Sequence, residues 1–183
     1  MKTKPLIFWL VLAACILVSN LAYSDTRMSV THSSQLTKNA GLWGFTIGVQ
    51  STENPYYFSV TWLEEEWRWT RRGKKEKDIW ITASLDYLFF QQEFEGFEVH
   101  SGFGARIEIV GDLNIKNLVS LSVPQGTITK QWCWEIMQSF SYEVLDDLDG
   151  YVSMVYVMRP VGSLKKPKFD GDLFINVGVL LDL

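Results

Sequence analysis

Apolar and polar side chains alternate with a period of two along most of the chain, the pattern of strands that shield one face. Over residues 42–50, Trp43, Phe45, Ile47 and Val49 share one side, and Gly44, Thr46, Gly48 and Gln50 the other. Over 79–89, Ile79, Ile81, Ala83, Leu85, Tyr87 and Phe89 oppose Thr82, Ser84 and Asp86. Over 97–109, Phe97, Val99, Phe103, Ala105, Ile107 and Ile109 form one face, interrupted only by Ser101. Its reverse carries Glu98, His100, Gly102, Gly104, Arg106 and Glu108. Trp132, Trp134, Ile136, Phe140 and Tyr142 oppose Gln131, Cys133, Glu135, Ser139 and Ser141, and a final run aligns Leu173, Ile175, Val177, Val179, Leu181 and Leu183. Turn chemistry separates the runs at Thr52-Glu53-Asn54-Pro55, Gly73, Glu95-Gly96, Gly111-Asp112, Pro124-Gln125-Gly126, Asp149-Gly150 and Gly171. The pattern predicts about eight strands from residue 41 onward, with 26–33 as a ninth segment or an N-terminal tail.

The start of the chain follows a different pattern. Lys2 and Lys4 precede an apolar run over 6–18, and Ala22-Tyr23-Ser24 has the small-x-small form that a signal peptidase cleaves. The run is too short for a membrane-spanning helix. Leu12-Ala13-Ala14-Cys15 gives the same segment a second reading, as a lipobox with Cys15 lipidated, although the apolar Ile16-Leu17-Val18 follows where a polar tether is usual. The organisation expected is a signal peptide over 1–24, an N-terminal segment or extra strand over 25–40, and an all-β barrel domain over 41–183. The chain has 17 basic and 21 acidic residues; cleavage after Ser24 removes two lysines and no acid, leaving a formal charge of -6. That balance argues against a nucleic-acid partner. Cys133 is then the one remaining cysteine, so no internal disulfide forms. No Cys or His cluster has metal-site spacing, and no cofactor is expected.

Alternation alone does not say which face is inside. A soluble barrel turns its apolar face inward, whereas a membrane barrel turns it to lipid and fills a narrow interior with polar and small residues. Three features favour the membrane. The polar face of 97–109 mixes acid, base, histidine and glycine, which suits a tight lumen. Several runs alternate for about 10 residues, the span a tilted strand needs to cross a bilayer. Trp43, Trp67, Trp69, Trp80, Trp132 and Trp134 fall near the ends of predicted strands, where interfacial aromatic girdles sit. The consecutive Glu64, Glu65 and Glu66 fit only if the lipid-facing part of that strand stops near Trp62.

The C-terminal Asn176-Val177-Gly178-Val179-Leu180-Leu181-Asp182-Leu183 resembles the assembly signal of outer-membrane proteins, with Leu183 in place of the usual terminal aromatic. With the signal segment, the mature chain is similar to small eight-stranded outer-membrane barrels of the OmpA/OmpX type. That resemblance implies an antiparallel up-and-down barrel in the outer membrane of a Gram-negative envelope, in contact with lipid, lipopolysaccharide and the barrel-assembly machinery. It implies no activity, and the oligomeric state stays open.

Asp86, Glu98, His100, Arg106, Glu108 and Glu135 are expected to form a polar lumen network, either a functional constellation or a charge-paired plug. His32 and Ser34 stand at i and i+2, the spacing that brings an imidazole to a serine hydroxyl on one strand face. That pair and the tryptophan-rich 62–80 region loosely resemble the lipid A 3-O-deacylase family, whose own motif lies toward the C-terminus and is followed by asparagine. Arg71-Arg72-Gly73-Lys74-Lys75-Glu76-Lys77 is a basic turn able to meet anionic headgroups. Counting strands back from a periplasmic C-terminus places it on the periplasmic side, with Lys165, Lys166 and Lys168 in the last extracellular loop. Cys133 reads as a small lumen residue. Three functions follow: a non-enzymatic outer-membrane barrel with a plugged lumen, an outer-membrane lipid A hydrolase, and a soluble periplasmic barrel binding an apolar ligand.

Overall fold

The computed structural model describes residues 26–37, 42–65, 68–69, 75–114, 129–163 and 166–183. The described strands are β1 (Thr26–Gln35), β2 (Trp43–Ser51), β3 (Tyr56–Glu64), β4 (Arg68–Trp69), β5 (Lys75–Phe94), β6 (Phe97–Asn114), β7 (Thr129–Leu145), β8 (Leu148–Ser163) and β9 (Lys166–Asp182). All neighbours pair antiparallel, and β3 and β4 both lie against β5 as two pieces of one stave. The wall therefore has eight staves. It closes where β1 pairs with β9, from Arg27 opposite Asp182 to Gln35 opposite Phe174.

Closure through β1 changes the expected domain boundary and strand count. The barrel begins at Thr26 rather than at 41, and the staves after residue 41 number seven; β1 supplies the eighth. Without it, β2 and β9 would leave two open rows of backbone donors and acceptors, which hydrocarbon cannot satisfy. The signal segment, with both of its processing readings, lies outside the described residues.

Paired residues give the geometry of closure. From Met28 the ladder runs through Val49, Phe58, Leu85, Ala105, Trp134 and Met158 to Gly171, whereas Met28 itself faces Leu181. The circuit returns displaced by ten residues along β9, which for eight staves corresponds to a tilt of about 40°. At that tilt the 9 residues of β2 or β3 rise roughly 23 Å, close to the height of a lipid-facing band.

The wall is inverted relative to a soluble barrel. Phe45 is 57 % exposed and Ile47 52 %, while their neighbours Thr46, Ser59, Thr61, Ser84 and Ser153 are buried inside. The alternative of a soluble barrel with a convergent apolar interior is thus contradicted: the apolar face points outward. Tyr56 and Tyr87 meet edge to face at 5.7 Å near one end of the band, and Trp43 and Trp62 stand exposed near the other. Trp80 departs from the girdle expectation. It points inward and packs against the core, where the Arg159 guanidinium lies 5.3 Å from its ring centre. Trp67 lies outside the described residues.

Several breaks differ from the expected ones. The hairpin between β7 and β8 turns at 146–147, ahead of Asp149-Gly150, because Asp147 takes the positive φ of 66° that the reversal needs. Gly111-Asp112 and Gly171 lie within strands. At Gly171 the missing side chain leaves room for the Tyr156 ring, which would overlap any Cβ placed there. β3 ends at Glu64, so the acidic run begins where the lipid-facing stretch stops.

Strand direction defines two ends. The turns at 52–55, 95–96 and 146–147 and the C-terminal Leu183 share one, the turn end. The longer connections share the other, the loop end. Four strands separate the start of β5 from the start of β9, so Lys75 and Lys166 lie at the same end. This corrects the expected placement of the basic turn opposite the last loop, which required an odd number of crossings. Arg71, Arg72, Gly73 and Lys74 themselves lie outside the described residues.

Candidate functional site

The lumen holds three polar layers. Nearest the loop end, Arg159 on β8 makes a two-pronged contact with Glu108 on β6, Nε to Oε2 at 2.6 Å and Nη2 to Oε1 at 2.8 Å. Its Nη1 donates to Asp172 on β9. Arg106 on β6 donates to Glu135 at 3.2 Å and lies 3.4 Å from Glu108. Phe174 covers Arg106 at 5.3 Å, as Trp80 covers Arg159. Fork-shaped guanidinium pairing of this kind is strong when water is excluded.

At the waist, Asp86 is only 1 % exposed and packs beside Ser84 and Glu135. Its Oδ1 lies over Gly104 and has no hydrogen-bond partner; any Cβ at 104 would collide with it. Hydroxyls fill the wall opposite. Ser33 bonds Thr46 at 2.6 Å, Thr46 bonds Thr61 at 2.8 Å, and Ser59 bonds Ser84 at 2.8 Å. A cavity of about 20 Å³, room for a single water, lies among Tyr57, Ser59, Ser84, Asp86 and Glu135.

Near the turn end, Arg27 reaches Glu98 at 2.5 Å, Asp149 at 2.5 Å and Asp182 at 2.6 Å. It thereby ties the first strand to the last and to two hairpins. His100 sits 3.5 Å from Glu98. The six expected lumen residues therefore divide: Asp86, Arg106, Glu108 and Glu135 meet in the interior, while Glu98 and His100 join the rim cluster of Arg27. Cys133 is buried on the lumen side.

Arg159, Asp172 and Arg27 were not among the expected residues. In β8 both faces are apolar, with Tyr151, Val155 and Val157 inside and Val152, Met154 and Tyr156 outside. No alternation marked Arg159 as inward. Arg27 lay in the segment whose strand character was open.

His32 and Ser34 are on the outer face. Ser34 Oγ lies 3.1 Å from His32 Nε2, and the imidazole meets the Phe45 ring edge to face at 6.0 Å. Ser34 stands directly across the ladder from Trp43. Among the described residues no carboxylate is recorded against the imidazole. No group of three or more His, Cys, Asp or Glu is placed to hold a metal among those residues either.

No family model matches the chain, and no curated protein does. Solved structures do. Ail, the attachment invasion locus protein of Yersinia pestis, in complex with the heparin analogue sucrose octasulfate, aligns with a TM-score of 0.51 at 10% identity, over 86% of this chain and 97% of that one. The N-terminal β-barrel domain of Pseudomonas aeruginosa OprF gives 0.49 at 12% identity, over 87% and 98%. Neisserial surface protein A gives 0.46 at 15% identity, over 86% and 96%. The fold is that of small eight-stranded outer-membrane barrels. At these identities the likeness extends to the fold and no further.

Proposed function

We propose that the protein is a plugged, non-enzymatic barrel of the outer membrane, exported and inserted by the barrel-assembly machinery, whose loop end engages the phosphates of lipopolysaccharide. The observation that carries this reading is the difference in charge between the ends. Arg68, Lys75, Lys77, Lys130, Lys166 and Lys168 all fall in the loop-end parts of their strands, where they stand among Glu64, Glu65, Glu76, Asp78, Asp112 and Asp170 and balance them. Glu93, Glu95, Glu98, Glu143, Asp146, Asp147, Asp149 and Asp182 cluster at the turn end with Arg27. Short turns are the periplasmic feature of such barrels, so the acidic turn end faces the periplasm and the end that carries the lysines faces outward, toward anionic sugar-lipid. The charge-locked waist leaves room for about one water and supports a plug rather than a pore.

The test is fractionation of the full chain expressed in a Gram-negative host. Retention in washed outer membranes, with a heat-dependent shift in gel mobility, is expected. Co-purified lipopolysaccharide is expected to fall severalfold when Lys166 and Lys168 are both changed to Gln. Release into the soluble periplasmic fraction overturns the membrane reading; unchanged lipopolysaccharide overturns the partner.

A second reading rests on the contact between Ser34 and His32. A hydroxyl within 3.1 Å of an imidazole on the outer wall is a nucleophile beside a base, facing acyl chains. It suits hydrolysis of an acyl ester, with His32 taking the Ser34 proton. Mass spectrometry of lipid A decides it: an acyl chain lost with the wild type and kept with Ser34→Ala supports the hydrolase, and identical lipid A excludes it.

A further inference from the structure

Charge at the loop end is even in sum but not in place. On the β3–β6 side Arg68, Lys75 and Lys77 stand among Glu64, Glu65, Glu76, Asp78 and Asp112. On β7, β8 and β9 the described residues furthest toward that end are 129–131, 161–163 and 166–168, which hold Lys130, Lys166 and Lys168 and no acid. Directly below them the outer wall ends in an apolar row. Trp132 is 67 % exposed and Phe169 62 %, the two most exposed aromatic side chains among the described residues. Pro160 on β8, itself exposed, lies between them and pairs with Phe169. The register that sets Trp134 opposite Met158 continues to Trp132 beside Pro160, where Gln131 Nε2 donates to the Pro160 carbonyl at 3.2 Å. Two strands apart, the Trp132 and Phe169 backbones are separated by about 10 Å. The low proline ring leaves a furrow between their side chains that opens to lipid.

We infer that this furrow is a seat for the lipid A part of lipopolysaccharide, with one acyl chain between Trp132 and Phe169 and a sugar phosphate at the lysine-bearing ends above. The inference rests on the lipopolysaccharide reading given above and adds where on the barrel the molecule sits. Aromatic side chains at the edge of a lipid-facing band pack against acyl chains while their upper edges meet headgroups. An ammonium is a compact charge suited to phosphate. A sector without acids keeps the whole of that attraction, which the mixed charges of β3–β6 cancel. A phosphorylated sugar carrying acyl chains matches both features at once. Free phosphate would use only the lysines, and a neutral phospholipid only the rings.

The experiment uses the full mature barrel in zwitterionic nanodiscs, with retained lipid A counted by native mass spectrometry and folding checked by heat-dependent gel mobility. One bound lipid A per barrel is expected, displaced neither by inorganic phosphate nor by phosphatidylglycerol at equal concentration. Trp132→Leu with Phe169→Leu, which keeps the wall apolar, is expected to weaken retention about tenfold. Lys130→Gln with Lys168→Gln is expected to weaken it similarly for diphosphorylated lipid A and hardly at all for the dephosphorylated form. Lys75→Gln with Lys77→Gln, in the mixed-charge sector, is expected to leave retention unchanged. Lipid A lost from Lys166→Gln with Lys168→Gln but kept by Trp132→Leu with Phe169→Leu overturns the furrow and leaves the partner standing. Phosphatidylglycerol held as firmly as lipid A overturns the assignment to lipid A. No lipid A on any folded form overturns the furrow and the lipopolysaccharide reading together.

Discussion

The lumen wall has two unlike halves. From β1 to β3 its buried polar side chains are neutral, Ser29, Thr31, Ser33, Thr46, Gln50, Ser59 and Thr61, on strands of 9 or 10 residues. From β5 to β9 the wall carries Asp86, Arg106, Glu108, Glu135, Arg159 and Asp172, on strands of 16 to 20 residues. In the neutral half the hydroxyls of Thr31, Ser33, Thr46 and Ser59 bond the next strand along, following the ladder they already belong to, while Ser29 reaches the Tyr57 hydroxyl two strands away. In the charged half Arg159 reaches Glu108 two strands away, so its pairs act as cross-braces through the interior. Hydroxyl bonds are individually modest and replaceable; a buried ion pair is severe to break from one side, because the surviving charge has nowhere to go. The difference assigns shape to one wall and locking to the other.

The sharpest way to test that assignment is Arg159→Met, which takes from Glu108 and Asp172 the guanidinium they share and leaves Glu108 with Arg106 at 3.4 Å and Asp172 with the Thr37 hydroxyl at 3.2 Å. A loss of about 3–5 kcal/mol is expected in urea unfolding from vesicles. Adding Glu108→Gln to it is expected to recover part of the loss, since one surplus charge disappears; no recovery would mean that Arg159 matters through its packing on Trp80. Arg27→Met comes next. Its three carboxylate partners lie at the rim, where water reaches them, and Asp182 is half exposed. A loss of roughly 1–2 kcal/mol is expected, shrinking with added salt. A loss as large and as salt-insensitive as that of Arg159→Met would place the rim cluster inside the low-dielectric region and erase the distinction between lock and clamp.

How far the sequence revealed this arrangement depended on contrast between faces. Where the outward residues were apolar and the inward ones polar, as over 97–109, both strand and orientation were legible, and Asp86, Arg106, Glu108 and Glu135 could be assigned to one interior. Where the inner face was itself apolar, as with Val155 and Val157 of β8, the period-two signal vanished and Arg159 vanished with it. β1 was ambiguous for a related reason. Met28 and Val30 alternate with hydroxyls, but His32 and Ser34 continue the outward face as polar residues and blur it. The side of the basic turn was misplaced because a strand count propagates: counting back from the C-terminus, one stave too many moves every earlier turn to the opposite end. The inversion of the wall, apolar out and polar in, emerged from side-chain polarity because glycine, histidine and both charge signs share one column. A solvated face has no reason to combine them.

The smallest effect bears on the neutral wall. Thr46 sits between Ser33 and Thr61, bonding both, so Thr46→Val keeps the shape and removes two hydrogen bonds at once. Because the neighbouring hydroxyls can rotate toward backbone carbonyls, the expected loss is about 1 kcal/mol rather than the sum of two full bonds. Thr31, whose hydroxyl lies 3.4 Å from the Thr46 carbonyl, shows that such an alternative acceptor is within reach. Urea unfolding of Thr46→Val, Ser33→Ala and the double variant gives the coupling directly. A double loss smaller than the two single losses combined fits a chain of adaptable hydroxyls. A loss in Thr46→Val alone that rivals Arg159→Met would mean the neutral wall is a lock as well, and the division of labour between the walls would have to be abandoned.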